Sequence, residues 1–282
     1  MDIEQFVELA CASHRGSVRP TNQDFAFAGP VPGAPEWGLV LVADGVGGQG
    51  GGDWASQRAS AVVTSRLHAF LAESEPAEAL ARAVQAANEA VFREGPGHGY
   101  ANAATTLVAG LVGPRSFWWA NVGDSRIYTL RQARLGQLSM DHSVVAERVR
   151  AGLMTPREAR LSPERNVITR AIGSGPGVEV DCGGPIAWGQ DDVLFACSDG
   201  IHGLFDDGEL IALLRDRTAA DAAEFAVTSA NEAGANDNVT IAIGRVTGGP
   251  PQPIANAEPA PSEAAPNSSR WDRWSQLWRG RR

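Results

Sequence analysis

Residues 39–55 read LVLVADGVGGQGGGDWA: an apolar run, an aspartate, a cluster of glycines and then a helical-looking segment. Leu39 to Ala43 has the pattern of a buried strand bounded by turn residues. Gly45, Gly47 and Gly50 match G-x-G-x-x-G, the turn that cradles a pyrophosphate in dinucleotide-binding units. That reading also needs a second parallel strand closed by an acidic residue roughly 20 positions on. The chain instead continues RASAVVTSRLHAFLAES over 58–74, which keeps helical period and never becomes a strand. A lone glycine match is a weak signal, so weight shifts from the glycines to Asp44 in front of them.

The same design occurs a second time. VLFACSDG at 193–200 is another apolar strand ending in Asp-Gly. An aspartate at a strand end can aim its carboxylate out of the sheet edge, and the glycine lets the backbone turn and approach an ion. Asp124 in NVGDSR, Asp237 in GANDNVTIAIG and Asp24 in RPTNQDFAF sit in comparable places beside apolar runs. Each alone is an ordinary turn former or helix cap. Four or five carboxylates beside strand ends together assemble an oxygen-ligand site for Mg²⁺ or Mn²⁺.

The 282 residues suffice for one large domain or two small ones, and 43% hydrophobic content supports a sizeable core. All 24 basic residues are arginine and the formal net charge is −9, which argues against a general nucleic-acid binder. Cys11, Cys182 and Cys197 form neither a disulfide framework nor a metal spacing, so a reducing, cytoplasmic setting is expected. No basic leader with a long apolar run opens the chain, and no window holds eighteen consecutive apolar residues.

Strands are expected at 37–43, 105–112, 116–122, 126–130, 192–197 and 238–244, and helices at 53–72, 76–94, 143–152, 207–216 and 219–233. Thr155-Pro156 reads as a helix cap followed by proline at the first helical position. Gly123-Asp124, between two strand-like runs, reads as a hairpin turn. Strands in consecutive runs with helices between them imply antiparallel sheets covered by helices. Residues 1–246 form the expected globular unit. Residues 247–269, rich in Pro, Ala and Ser, read as a disordered linker. In the final segment, 270–282, Trp271, Trp274 and Trp278 fall on one helical face among arginines. From 248 onward five arginines face three acids, +2, leaving −11 for the rest. The segment suits a tethered helix for a protein partner or a membrane surface, with the protein partner preferred because the helix is short. A frayed end with no role is the competing reading.

The ordered set GSVRPTNQD, VADGVGGQGGG, ATTLV, NVGDSRIY, MDHS, NVITRAIG, ACSDG and NDNVT, spanning about residues 13 to 244, resembles the bacterial branch of the protein phosphatase 2C family. These are metal-dependent serine/threonine phosphatases. The resemblance implies an α+β fold, a four-layer αββα sandwich of two antiparallel sheets flanked by helices, with metals in a cleft at one end. It implies two Mn²⁺ or Mg²⁺ ions bridged by Asp44, with the Gly45 carbonyl, Asp199 and Asp237 as further ligands. Asp124, with Asp199, is similar to the holder of a third, weaker ion. Arg19 matches the residue that grips the substrate phosphate. Gln23, Asp24 and Asn238 match residues that support the ligands. Residues 143–166 match the family's flap, an arginine-rich segment that adjoins the cleft and helps choose the substrate.

The implied chemistry is attack on phosphorus by a metal-activated water, with no phosphoenzyme and hence no catalytic cysteine. A phosphoprotein substrate, an opposing serine/threonine kinase and a monomeric state are implied with it. Two positions depart from the pattern. Val46 stands where eukaryotic members carry the histidine proposed as general acid, and Gln23 where many members have glutamate. His142 in MDHS is expected to be structural, and His14 is a weaker candidate for proton transfer. Two other classes compete: a non-catalytic phosphoprotein-binding module that kept the fold, and a two-metal hydrolase of other phosphate esters such as nucleotides. A lost metal aspartate would mark the first, and none is missing; a substrate panel separates the second.

Overall fold

The computed structural model describes residues 2–47 and 51–248. Residues 48–50, the centre of the glycine run, lie outside that range, as do the linker from 249 onward and the Trp/Arg segment. Met1–Pro250 forms one compact unit.

Two antiparallel sheets build it. One contains β1 (Val7–His14), β11 (Val239–Val246), β10 (Val193–Cys197), β7 (Arg126–Arg131) and β8 (Arg134–Gln137), in that spatial order. The other runs β2 (Asp24–Val31), β3 (Ala34–Val46), β5 (Leu107–Val112), β6 (Ser116–Val122) and β9 (Asp181–Ala187), with the short β4 (Ala104–Thr105) on the end of β3. Helices α1 (Gly51–Leu71) and α2 (Pro76–Glu94) cover the second sheet. Helices α6 (Asp207–Leu214) and α7 (Ala219–Glu232) cover the first. The αββα sandwich expected from the resemblance is therefore present.

The period of two along a strand explains the layering. Leu39, Leu41 and Ala43 of β3 pack under α1 and α2, whereas Val40 and Val42 face the other sheet. In β10, Val193, Phe195 and Cys197 pack under α6 and α7, while Leu194 and Ala196 point between the sheets. Cys197 is thus a core residue. Strands buried on both faces read as continuous apolar runs, which is why these were legible locally.

β1, β2, β8 and β9 were not expected as strands. β2 carries Gly29 and Pro30, and β9 reads DCGGPIA. Each of the four lies at a sheet edge, where such breakers are tolerated because one row of backbone groups need not pair. The hairpin at Gly123-Asp124 is corrected. β6 pairs with β5 and β9, and β7 pairs with β10 and β8, so this turn crosses from one sheet to the other. Strand-like patterns on both sides of a turn do not say whether the two runs pair with each other. The dinucleotide reading also fails on topology, because α1 leads into α2 and not into a parallel strand.

Within 143–166 the chain forms α3 (Val144–Arg150) and α4 (Pro156–Leu161). The expected cap is present: Thr155 accepts from the Glu158 amide and Glu158 reaches back to the Thr155 amide. The neck of this excursion is an antiparallel bridge between Ser143 and Ile168, joined by Val144 N–H donating to the Val167 carbonyl at 2.9 Å.

Candidate metal centre

Register builds the centre. Asp24 on β2 stands directly opposite Asp44 on β3, so the two side chains share a face. Both continue the row of Ala26, Ala28, Val40 and Val42 that points between the sheets, and so lie at the open end of the inter-sheet core. The Asp44 backbone is tied on both sides. Its N–H donates to Thr106 Oγ1 at 3.0 Å, and its carbonyl accepts from the Thr106 amide at 2.8 Å and from Thr105 Oγ1 at 2.9 Å. Gly45 must be glycine here: a Cβ would lie 2.2 Å from the Gly52 carbonyl oxygen and 2.6 Å from that of Gln23.

Asp199 opens the four-residue helix α5 (Asp199–His202) directly after β10. Asp237 ends the loop into β11, and Asp124 lies in the crossing from β6 to β7. Desolvation first, then the charges of Asp24, Asp199, Asp124 and Asp237, push the pKa of Asp44 well above the usual range. Burial first, then neighbouring charges, raises Asp24 and Asp124 to about 7 and Asp199 to about 6. Asp24 is 7% exposed and neither carboxylate oxygen has a hydrogen-bond partner, although the Ser198 and Thr240 hydroxyls face it and partly offset the rise. Carboxylates grouped this way, Asp24 buried and Asp44, Asp124 and Asp199 half-buried, favour a cation among them, and oxygen donors of this kind suit a hard divalent ion. Among the described residues no three histidine, cysteine or carboxylate side chains close on one point by themselves. An oxygen site completed by a backbone carbonyl and waters needs no such trio.

Arg19, 51% exposed, donates from Nη2 to Asp237 Oδ2 at 2.7 Å. Its loop is held by Asn238, whose Oδ1 accepts from the Gln23 amide at 2.8 Å and whose Nδ2 donates to the Arg15 and Thr21 carbonyls at 2.9 and 3.0 Å. Asn238 therefore pins the loop that carries Arg19 and Gln23. Gln23 itself accepts at its carbonyl from the Gly45 amide and from Ser56 Oγ. A separate groove of about 530 Å³ between α1, α2 and residues 176–178 contains none of these residues.

The chain matches the model of the family described as protein phosphatase 2C over residues 12–233. The chain belongs to the protein phosphatase 2C family. The serine/threonine phosphatase stp of Listeria monocytogenes is 33% identical over 234 residues, covering 81% of this chain and 92% of that protein. The solved serine/threonine phosphatase PstP/Ppp of Mycobacterium tuberculosis superposes with a TM-score of 0.77 at 29% identity, over 86% of this chain and all of that one. The catalytic domain of PstP in complex with two manganese ions superposes at 0.74 and 28% identity, over 86% of this chain and 99% of that one.

In this protein phosphatase 2C the family match ends before Asp237 and Asn238, so their place in the centre stands on the geometry above. One residue escaped sequence reading. Arg165, on the segment 143–166, adds its charge to the larger effect of Arg19 in favouring the ionised form of Asp199, against burial and Asp237. Seven arginines of similar local context lie between 131 and 165, and nothing in the string distinguishes this one.

A pH dependence follows. Carboxyls with folded pKa values raised above the unfolded range bind more protons when folded, so stability is highest below the unfolded values and falls as pH rises through the folded ones. With EDTA present, Tm is expected to drop by roughly 5 °C or more between pH 5 and pH 8. The window is set by Asp199 near 6 and Asp24 and Asp124 near 7. Saturating Mn²⁺ should flatten or reverse that slope; a Tm rising with pH in EDTA would contradict the clustering.

Proposed function

We propose that this chain removes phosphate from phosphoserine and phosphothreonine in proteins, as a metal-dependent hydrolase opposing a serine/threonine kinase in the cytoplasm. The observation that carries the reading is the register that sets Asp24 opposite Asp44 at the open end of the inter-sheet core, with Asp199 and Asp237 at the ends of the paired strands β10 and β11 and Arg19 bonded to Asp237. Asp44, Asp199, Asp237 and the Gly45 carbonyl would hold two Mn²⁺ or Mg²⁺ ions, and Asp124 with Asp199 a third. Bound ions supply Lewis acidity and a water able to attack phosphorus near neutral pH.

The remaining work falls to the chain. Arg19 exchanges Asp237 for the substrate phosphate, where its planar fork can contact two oxygens. Asn238 keeps Arg19 in reach by fixing its loop. Arg165 extends the positive rim from the segment 143–166, which acts as the flap and meets the substrate polypeptide. Val46 has no proton to give, and His142 and His202 are engaged with the Gly123–Asp124 crossing; a water at the metal centre would supply the leaving-group proton, with His14 the weaker alternative. Gln23 and Asp24 support the ligands. No described helix is long and apolar enough to cross a membrane. The segment 270–282 serves a protein partner in this reading, and the catalytic unit works as a monomer.

The test is hydrolysis of a phosphothreonine peptide with Mn²⁺ and with EDTA, alongside phosphotyrosine peptide and nucleotides. Mn²⁺-dependent release from the first substrate supports the reading. Preference for nucleotides, or binding without turnover by metal-loaded protein, would replace it with one of the competing classes. Arg19→Ala should raise KM for the peptide about 10- to 100-fold, the worth of a charge-assisted contact of roughly 1.5–3 kcal/mol. Arg19→Lys should recover only part of that, and Arg165→Ala should raise KM by a smaller factor. An unchanged KM in Arg19→Ala would remove Arg19 from the phosphate site.

A further inference from the structure

Two histidines that the reaction does not use meet at the turn that carries Asp124. His142, 3% exposed, accepts at Nδ1 from the Gly123 amide at 3.0 Å, and its own amide donates to the Gly123 carbonyl at 3.0 Å. Accepting at Nδ1 places the proton of the neutral ring on Nε2, which lies 3.2 Å from Asp181 Oδ2 and 3.1 Å from Arg170 Nη1; of the two only the carboxylate can accept from it. Arg170 Nη1 holds the other oxygen of Asp181 at 2.8 Å. His202, at the far end of the helix that Asp199 opens, faces the Asp124 carbonyl through Nε2 at 3.1 Å. A carbonyl can only accept, so His202 Nε2 donates.

The turn has little other freedom. Gly123 has φ +112°, and a Cβ there would lie 2.6 Å from Thr106, the residue whose hydroxyl accepts from the Asp44 amide. Asn121 Nδ2 also donates to the Gly123 carbonyl at 3.2 Å. His142 in turn sits at the neck of the segment 143–166, where its carbonyl accepts from the Thr169 amide at 2.8 Å. The crossing is thus bonded to the neck through His142 and to the Asp199 helix through His202.

We propose that His142 and His202 are positioning residues that hold the Gly123–Asp124 crossing, so that the Asp124 carboxylate keeps one place relative to Asp199 and to the neck of the flap. The inference rests on the reading of Asp124 as a ligand of the third ion. Neither ring then takes part in proton transfer, and the flap is anchored to the metal centre at its base.

The full chain is tested as wild type, His142→Ala, His142→Asn, His202→Ala and His202→Gln. Asparagine Oδ1 can accept where Nδ1 did, and glutamine Nε2 can donate where the imidazole did. Mn²⁺ binding is titrated calorimetrically without substrate, and kcat, KM and the pH–rate profile are measured with a phosphothreonine peptide. Expected is a loss of about 10-fold or more in affinity for the weakest Mn²⁺ and in kcat for both alanine variants. KM should change little, and the asparagine and glutamine variants should return toward wild type with an unaltered pH profile. If an alanine variant does not fold, the conservative variant decides: it must bind Mn²⁺ as the wild type does. Alanine variants that bind Mn²⁺ and turn over normally overturn the proposal. So do conservative variants as impaired as alanine, or the loss of one limb of the pH profile, which would make a histidine a proton donor. A wild type without turnover or Mn²⁺ binding would instead overturn the functional reading, and this inference with it.

Discussion

Asp44→Asn is expected to lower kcat/KM for a phosphothreonine peptide by at least about 10³-fold, roughly 4 kcal/mol of transition-state stabilisation. The residue is the one on which Asp24, Asp124, Asp199 and Asp237 all act. Its backbone is fixed by Thr105 and Thr106 and not by its own side chain, so asparagine should sit where aspartate did. The amide keeps the shape and loses the charge that would hold the ions. The same change should raise Tm in EDTA at pH 8, because one of the mutually repelling, largely desolvated carboxylates is gone. Opposite signs for activity and metal-free stability distinguish loss of a ligand from loss of fold. A variant retaining a tenth of wild-type activity would show that Asp44 is not central, and a lower Tm in EDTA would show that its charge is not a burden.

Gly200→Ala is expected to cost both stability and activity. A Cβ at this position would lie 1.9 Å from the carbonyl oxygen of Asn238 and 3.0 Å from its carbonyl carbon. Backbone of the incoming β11 cannot yield as a flexible side chain would, and overpacking of this kind costs about 1–3 kcal/mol or more. For a domain of this size that is a fall in Tm of roughly 3–10 °C. The strain is placed between Asp199, the preceding residue, and Asp237, which precedes Asn238. Both carboxylates should shift, and kcat/KM should fall by about 10²-fold, beyond what reduced stability alone explains at 25 °C. Gly97→Ala is the control: nothing lies within 4 Å of its Cβ position, so Tm should stay within about 1–2 °C of wild type. Normal activity in Gly200→Ala would mean that α5 and β11 are not in the tight apposition described.

Much of this was legible because the informative signals are local. The apolar runs ending in Asp44-Gly45 and Asp199-Gly200 announced buried central strands with carboxylates at their ends. The helices over α1, α2 and α7 followed from alanine-rich periodicity, and the Thr155-Pro156 cap from two adjacent residues. Edge strands such as β2 and β9 stayed hidden because Gly and Pro, tolerated only where one side is unpaired, erase the pattern. Asn238 was expected beside a ligand; its actual hold on Arg15, Thr21 and Gln23 spans more than 200 positions.

By itself the sequence determined which residue types stand at strand ends and that the buried strands carry apolar side chains on both faces, since a strand's period of two and the turning of glycine are properties of a few consecutive residues. Tertiary structure alone decided that Asp24 faces Asp44 across a strand pair, that Arg19 reaches Asp237, that β6 and β7 part into different sheets, and that His142 holds Gly123 while His202 holds Asp124. Each of these depends on pairing and packing between segments brought together only when the two sheets stack, and the free energy that selects those pairings is shared across the whole core.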